Sequence, residues 1–131
     1  RAVAPVMSNA GGGSIVLMSS AAARIGIANH EAIAAAKAGV AGLALSAAAT
    51  YAPRGVRINV VAPGLVRTPL SARIVDNAAS LKVSESMHAL GRIGEADDVA
   101  SLIEYLLAPA QRWVTGQVFG VDGGLGTLRT R

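Results

Sequence analysis

Three polar features stand on a chain that is otherwise small and apolar: the Ser19-Ser20 pair, the lysine Lys37 in HEAIAAAKAGV (residues 30–40), and the segment PGLVRT (residues 63–68). An ammonium is costly to bury without partners, so Lys37 needs a reason to be there. If Ser20, Lys37 and PGLVRT surround one crevice, their hydroxyls and amine make a binding site for a small polar molecule. Taken singly, each has an ordinary alternative. A serine after a strand is a common turn or cap residue, Lys37 alone is a solvated helix lysine, and Pro-Gly is loop punctuation. GGGS at 11–14 is not a phosphate loop, because it precedes a strand, whereas a dinucleotide loop follows one and opens a helix.

The elements that would position these groups are readable. Residues 1–8 read as the tail of a helix. SIVLM (14–18) is a short continuous apolar run between glycines and serines, as in a buried parallel strand. Residues 31–51 are Ala- and Leu-rich with no proline before Pro53, and predict a long helix. Gly39 and Gly42 inside it each cost about 1 kcal/mol relative to alanine, so a packing reason is expected. The face Ala34, Ala38, Ala41, Leu45 and Ala48 suits a close helix approach, within the chain or between subunits. VRINVV (56–61) predicts a second strand, stopped by Pro63-Gly64. Residues 65–90 form a long polar connection with short helices, a length typical of lids and binding segments. Residues 95–107 predict an amphipathic helix with Asp97 and Asp98 in its favoured first turn. QVFGVD (117–122) is a third strand, and the tail to Arg131 is short.

Strand, helix, strand, lid, helix, strand implies right-handed crossovers and an α/β parallel sheet with helices on both faces. In such sheets ligands bind beyond the carboxyl ends of the strands. Ser20 and Pro63-Gly64 follow two of those ends, and Lys37 near the start of the following helix can face the same rim.

Composition narrows the function classes. The chain has 131 residues, 52% hydrophobic and 15% charged, with no cysteine and two histidines. One domain or part of one is expected. A thiolate metal site is excluded, and His30 and His88 lack ligand spacing, so no metal is expected. The net charge is +4, yet the arginines are scattered, which speaks against nucleic acid. The longest charge-free helical run, AGVAGLALSAAA, falls short of the ~20 residues a membrane span needs. With no signal peptide visible, a cytoplasmic location is the default.

Five stretches in order resemble the second half of a short-chain dehydrogenase/reductase: GGSIVLMSS (12–20), AIAAAKAGV (32–40), GVRINVVAPGLVRTPL (55–70), GRIGEADDVA (91–100) and VTGQVFGVDGG (114–124). The resemblance spans nearly the whole chain. It implies that residues 1–131 are the C-terminal part of one NAD(P)-binding, doubly wound Rossmann-type domain, with its last three strands and flanking helices. The implied reaction is hydride transfer between NAD or NADP and a small carbonyl or alcohol substrate. It further implies that Ser20 hydrogen-bonds the substrate oxygen, that Lys37 bonds the nicotinamide ribose, and that Pro63, Gly64, Val66 and Thr68 line the nicotinamide. Residues 65–90 would be the lid. The helix at 31–51 would pack against its copy in a homodimer or homotetramer, accounting for Gly39 and Gly42.

Two departures qualify that picture. The family pattern is Tyr-x-x-x-Lys, but here Ile33 stands four residues before Lys37, and isoleucine has no proton to transfer. A well-placed acid/base group is worth ~10²–10⁴ in rate. Tyr51 lies about 27 Å further along a helix. His30, with a pKa range suited to proton transfer, is the better-placed substitute, alongside its plainer reading as a helix-start residue; Glu31 is a weaker one. The second departure is at the front. The family's Gly-rich pyrophosphate loop, its ribose-reading residue and a catalytic Asn precede the position of Arg1. The sequence thus reads as a fragment, inactive alone, or as part of a non-catalytic relative that keeps the fold for cofactor binding or assembly.

Overall fold

The computed structural model describes residues 2–129; Arg1, Thr130 and Arg131 lie outside the described residues. Three parallel strands form the centre: β1 (Gly13–Met18), β2 (Val56–Pro63) and β3 (Val118–Val121), in the order β1-β2-β3. Helix α1 (Val3–Asn9) precedes β1, and the long helix α2 (Glu31–Tyr51) connects β1 to β2. Between β2 and β3 come the short helices α3 (Ala72–Val75) and α4 (Ala78–Met87), then α5 (Ala96–Leu107). The third strand is shorter at both ends than its apolar run predicts.

Strand alternation divides the core into two layers. Val56, Ile58 and Val60 of β2 meet Ala44 and Ala48 of α2, with Ile15 and Leu17 of β1 beside them. Val61 faces the other way, onto Val99 and Leu106 of α5, with Val16 and Phe119. Helices therefore cover both faces of a parallel sheet, the α/β, doubly wound Rossmann-type arrangement expected from the order of elements.

Polar groups inside this core are all spoken for. Arg57 lies on the α5 face and donates to the carbonyls of Leu106 at 3.0 Å, Ala108 at 3.2 Å and Val114 at 3.2 Å. A cation thus closes the carbonyl end of α5, where the helix dipole favours it. Asn59 is fully buried. Its amide donates to the Val114 carbonyl at 3.0 Å, and its oxygen accepts the Gln117 N–H at 3.1 Å. Chain turns permit close approach where needed: a Cβ on Gly12 would lie 2.6 Å from the Gly55 carbonyl oxygen, and both residues have positive φ.

Only part of the α2 face suited to close helix approach turns inward. Ala44 and Ala48 are buried, but Leu45 is 62% exposed and Ala38 is also exposed. A helix apolar all round gives no sequence signal for its direction; strand contacts decide it. Gly39 and Gly42 face open space within the chain. The expectation that no segment is long enough for a membrane also needs correction. The helical stretch 31–54 reaches a hydropathy of 1.6 over the length of a span. Its charged ends, Glu31 and Arg54, interrupt nothing between them but Lys37. Here one stripe of that helix is laid on the sheet.

Candidate functional site

Parallel pairing brings the carboxyl ends of all three strands to one rim, with Met18 opposite Val61 and Pro63 opposite Val121. The loop after β1 is pinned there. Ser19 is buried, its N–H donates to the Val61 carbonyl at 2.8 Å, and its hydroxyl donates to the Lys37 carbonyl at 2.8 Å. Ser20 is extended (φ −160°, ψ 152°) and caps a 3-10 turn over Ala21–Ala23. Its Oγ accepts the Ala22 N–H at 3.2 Å, which uses a lone pair and leaves the O–H for a ligand.

Lys37 is on the same rim. Its ammonium donates to the Met18 carbonyl at 3.0 Å, at the last residue of β1 and two residues before Ser20. One of three ammonium protons is used and two remain available. The structure therefore brings Ser20 and Lys37 to the same strand end.

Ile33 sits one helical turn before Lys37 and is 45% exposed. His30 is the N-cap of α2, exposed, and makes no capping bond with its side chain. Its Nδ1 donates to the Ala28 carbonyl at 2.8 Å, following Asn29 in the left-handed region (φ 62°). Nε2 is thereby the ring atom free to act as acceptor.

Pro63, Gly64, Val66 and Thr68 leave β2 at this rim in a fixed path. The Gly64 N–H donates to the Val121 carbonyl at 3.1 Å. Val66 bridges Gly94 in parallel, through Gly94 N–H to Leu65 O and Arg67 N–H to Gly94 O, both 2.8 Å. Thr68 begins a 3-10 turn over Pro69–Ser71, whose Ser71 hydroxyl donates to the Val66 carbonyl at 2.6 Å. Nearby, Arg67 pairs with Glu95 at 3.2 Å.

A residue that sequence reasoning passed over lies behind this segment. His88 follows α4 and is 4% exposed. Its Nδ1 donates to the Ser84 carbonyl at 2.6 Å, and its Nε2 accepts the Leu65 N–H at 3.2 Å. Those partners set the tautomer. Asp122, also buried, accepts the N–H groups of Gly124 and Gly126 at 3.0 and 3.1 Å. Arg24, from the Ser20 loop, comes within 4.0 Å of it. His88 and Asp122 help line a cavity of about 390 Å³ with Leu65, Arg92, Asp98 and Leu128. A larger cavity of about 690 Å³ opens at the amino ends of the strands, near Gly12, Gly55 and Trp113. Since ligands of such sheets enter at carboxyl ends, the smaller cavity is the relevant neighbour. Ser20 and Lys37 line neither one.

Comparison with known proteins agrees with the fold. The enoyl-(acyl carrier protein) reductase family model matches residues 1–126. A cyclohexanol dehydrogenase of Acinetobacter sp. (strain SE19) is 43% identical over 119 residues, which are 91% of this chain and 45% of the relative. A short-chain type dehydrogenase/reductase from Mycobacterium ulcerans superposes with a TM-score of 0.91 at 39% identity, over 96% of this chain and 46% of that one. A gluconate 5-dehydrogenase from Burkholderia cenocepacia J2315, solved with NADP and tartrate, superposes at 0.92 with 31% identity, over 98% and 50% of the two chains. The chain spans about half the length of the curated relatives it matches.

Proposed function

This chain belongs to the short-chain dehydrogenase/reductase family, and on that premise we propose that it is the C-terminal part of an NAD(P)-dependent oxidoreductase acting on a small alcohol or carbonyl compound. The observation that carries the reading is the Lys37 ammonium held on the Met18 carbonyl, beside Ser20, at the carboxyl rim of the sheet. The donor set fits a nicotinamide nucleotide. Two free ammonium protons suit ribose hydroxyls, and the Pro63–Thr68 path offers a fixed segment on the same rim of the sheet. When bound, the nicotinamide supplies the site that gives or takes hydride. Ser20 would hold the substrate oxygen with its remaining O–H. Relatives named for cyclohexanol and cis-4-hydroxycyclohexanecarboxylate make a cyclic secondary alcohol the substrate class to try first.

One observation favours a second reading, nucleotide binding without turnover. In this reading Ile33, four residues before Lys37, stands where the family pattern places its tyrosine acid/base and offers no side-chain proton to transfer. The two readings separate in one experiment on the full-length protein. Titration with NADH and NADPH is followed by assay on cyclic alcohols and ketones. Turnover supports the oxidoreductase; binding with no turnover supports the second reading; binding of neither nucleotide rejects both.

The exposed side of α2, with Gly39, Gly42, Leu43 and Leu45 uncovered, supports a subunit contact in a homodimer or homotetramer. Residues 65–90 serve in this reading as the lid. Helix α4 suits that role, since it buries none of its residues.

A further inference from the structure

We propose that His88 is a positioning residue, whose imidazole fixes the Gly64–Leu65 backbone at the rim and couples it to the end of α4. The proposal rests on the reading of Pro63–Thr68 as the cofactor-lining segment. Three chain segments converge on this one ring. The Ser84 carbonyl, in α4, accepts from Nδ1, and the Leu65 N–H, 23 residues away in sequence, donates to Nε2. Gly64 leaves the ring its space: a Cβ there would stand 2.6 Å from Nε2. Gly123, after β3, also packs against His88, where a Cβ would lie 3.5 Å from the ring.

The backbone around His88 completes the tie. The His88 carbonyl accepts the Gly91 N–H at 2.8 Å, and the Leu90 N–H donates to the Gly123 carbonyl at 3.0 Å. Helix α4 has no buried residue of its own, so the buried ring just beyond it is its anchor to the sheet. Only an unprotonated Nε2 can accept from Leu65. Removing the acceptor leaves the Leu65 N–H without its partner and loosens the Leu65 amide, while the Gly64 N–H to Val121 and Gly94 N–H to Leu65 carbonyl bonds remain. The end of α4 and the Leu65 backbone are therefore joined through the His88 side chain, beside the Leu90–Gly123 backbone bond.

The test uses the full-length protein and two readouts: hydrogen exchange at the Leu65 amide, and titration with NADH and NADPH. In His88→Phe, which keeps the ring volume but lacks an acceptor, exchange should rise and nucleotide affinity fall, each by about tenfold. His88→Gln offers an oxygen to the Leu65 N–H and should restore both to within about twofold. Equal loss in the Phe and Gln variants would make the role one of packing and overturn the proposal. Unsubstituted protein that binds neither nucleotide would overturn the cofactor reading together with this role. Unchanged affinity and unchanged Leu65 exchange in His88→Phe would overturn the His88 role alone.

Discussion

Lys37 and Met18 are nineteen residues apart in sequence, yet the ammonium of one rests on the carbonyl of the other at 3.0 Å. The bond ties Nζ to the carboxyl end of β1. A hydrogen bond to a charged group is worth about 1.5–3 kcal/mol, so Lys37→Met in the full-length protein should weaken NAD(P)H binding by about tenfold or more. Fluorescence titration measures it. Affinity within twofold of the unsubstituted protein would remove Lys37 from the cofactor site.

Ile33 makes a gain-of-function test possible. It is half-exposed, one turn from Lys37, so a tyrosine there has room to reach the rim. Ile33→Tyr in the full-length protein should raise kcat on a cyclic alcohol by ~10²–10⁴ if the missing proton donor limits the rate. His30→Ala in the Ile33 background should lower turnover by about tenfold if the Nε2 of His30 has taken over the proton. Rates indifferent to both substitutions would place the proton relay elsewhere.

Much of this arrangement was legible in the residues. The apolar runs at 14–18 and 56–61 are strands, and 31–51 is a helix over its whole predicted length, because local pattern and tertiary packing agree there. The start of α5 is one residue later than predicted, since Glu95 serves as its N-cap in a capping box with Asp98. What escaped has a common cause: it depends on residues far apart in sequence. The direction of α2 is set by Val56, Ile58 and Val60, not by anything in its own uniformly apolar surface. His88 gained its role from Leu65, and Arg57 from the end of α5; no local spacing announces either.

Asp98 gives the protein an acid-sensitive element. Its carboxylate accepts from Arg92 at 2.7 and 3.1 Å and from the Glu95 N–H at 2.8 Å. The Arg92 hydrogen bonds, then that of the Glu95 backbone, lower its pKa from 3.8 to about 2. A carboxyl depressed by folding stabilises the fold fully above its unfolded value and loses that contribution as pH falls through the folded one. Asp98→Asn should therefore be less stable than the unsubstituted protein at pH 6, with the gap closing between 3.8 and about 2. Denaturant melts along that pH series measure it; parallel curves would contradict the assignment.

β1 pairs only with β2 among the described residues, leaving its other side without a strand. Apolar Ile15, Val16 and Leu17 lie along that open edge, a template for pairing with another chain. Residues 1–131 produced alone should elute as oligomers or aggregates in size-exclusion chromatography. A monomer with a single cooperative melt would show that the edge is protected in another way.

The buried amide of Asn59 has a consequence for the last strand. No hairpin counts residues for β3, which arrives at β2 in parallel after a long excursion. Asn59 supplies part of the count: it grips Val114 and Gln117 at once, next to Ile58, which holds Thr115 and Gly116. A slip of one position would turn Phe119 and Val121 from the α5 side to the α2 side, so this amide, together with the Ile58 bonds to Thr115 and Gly116, keeps the two layers of the core from exchanging contents.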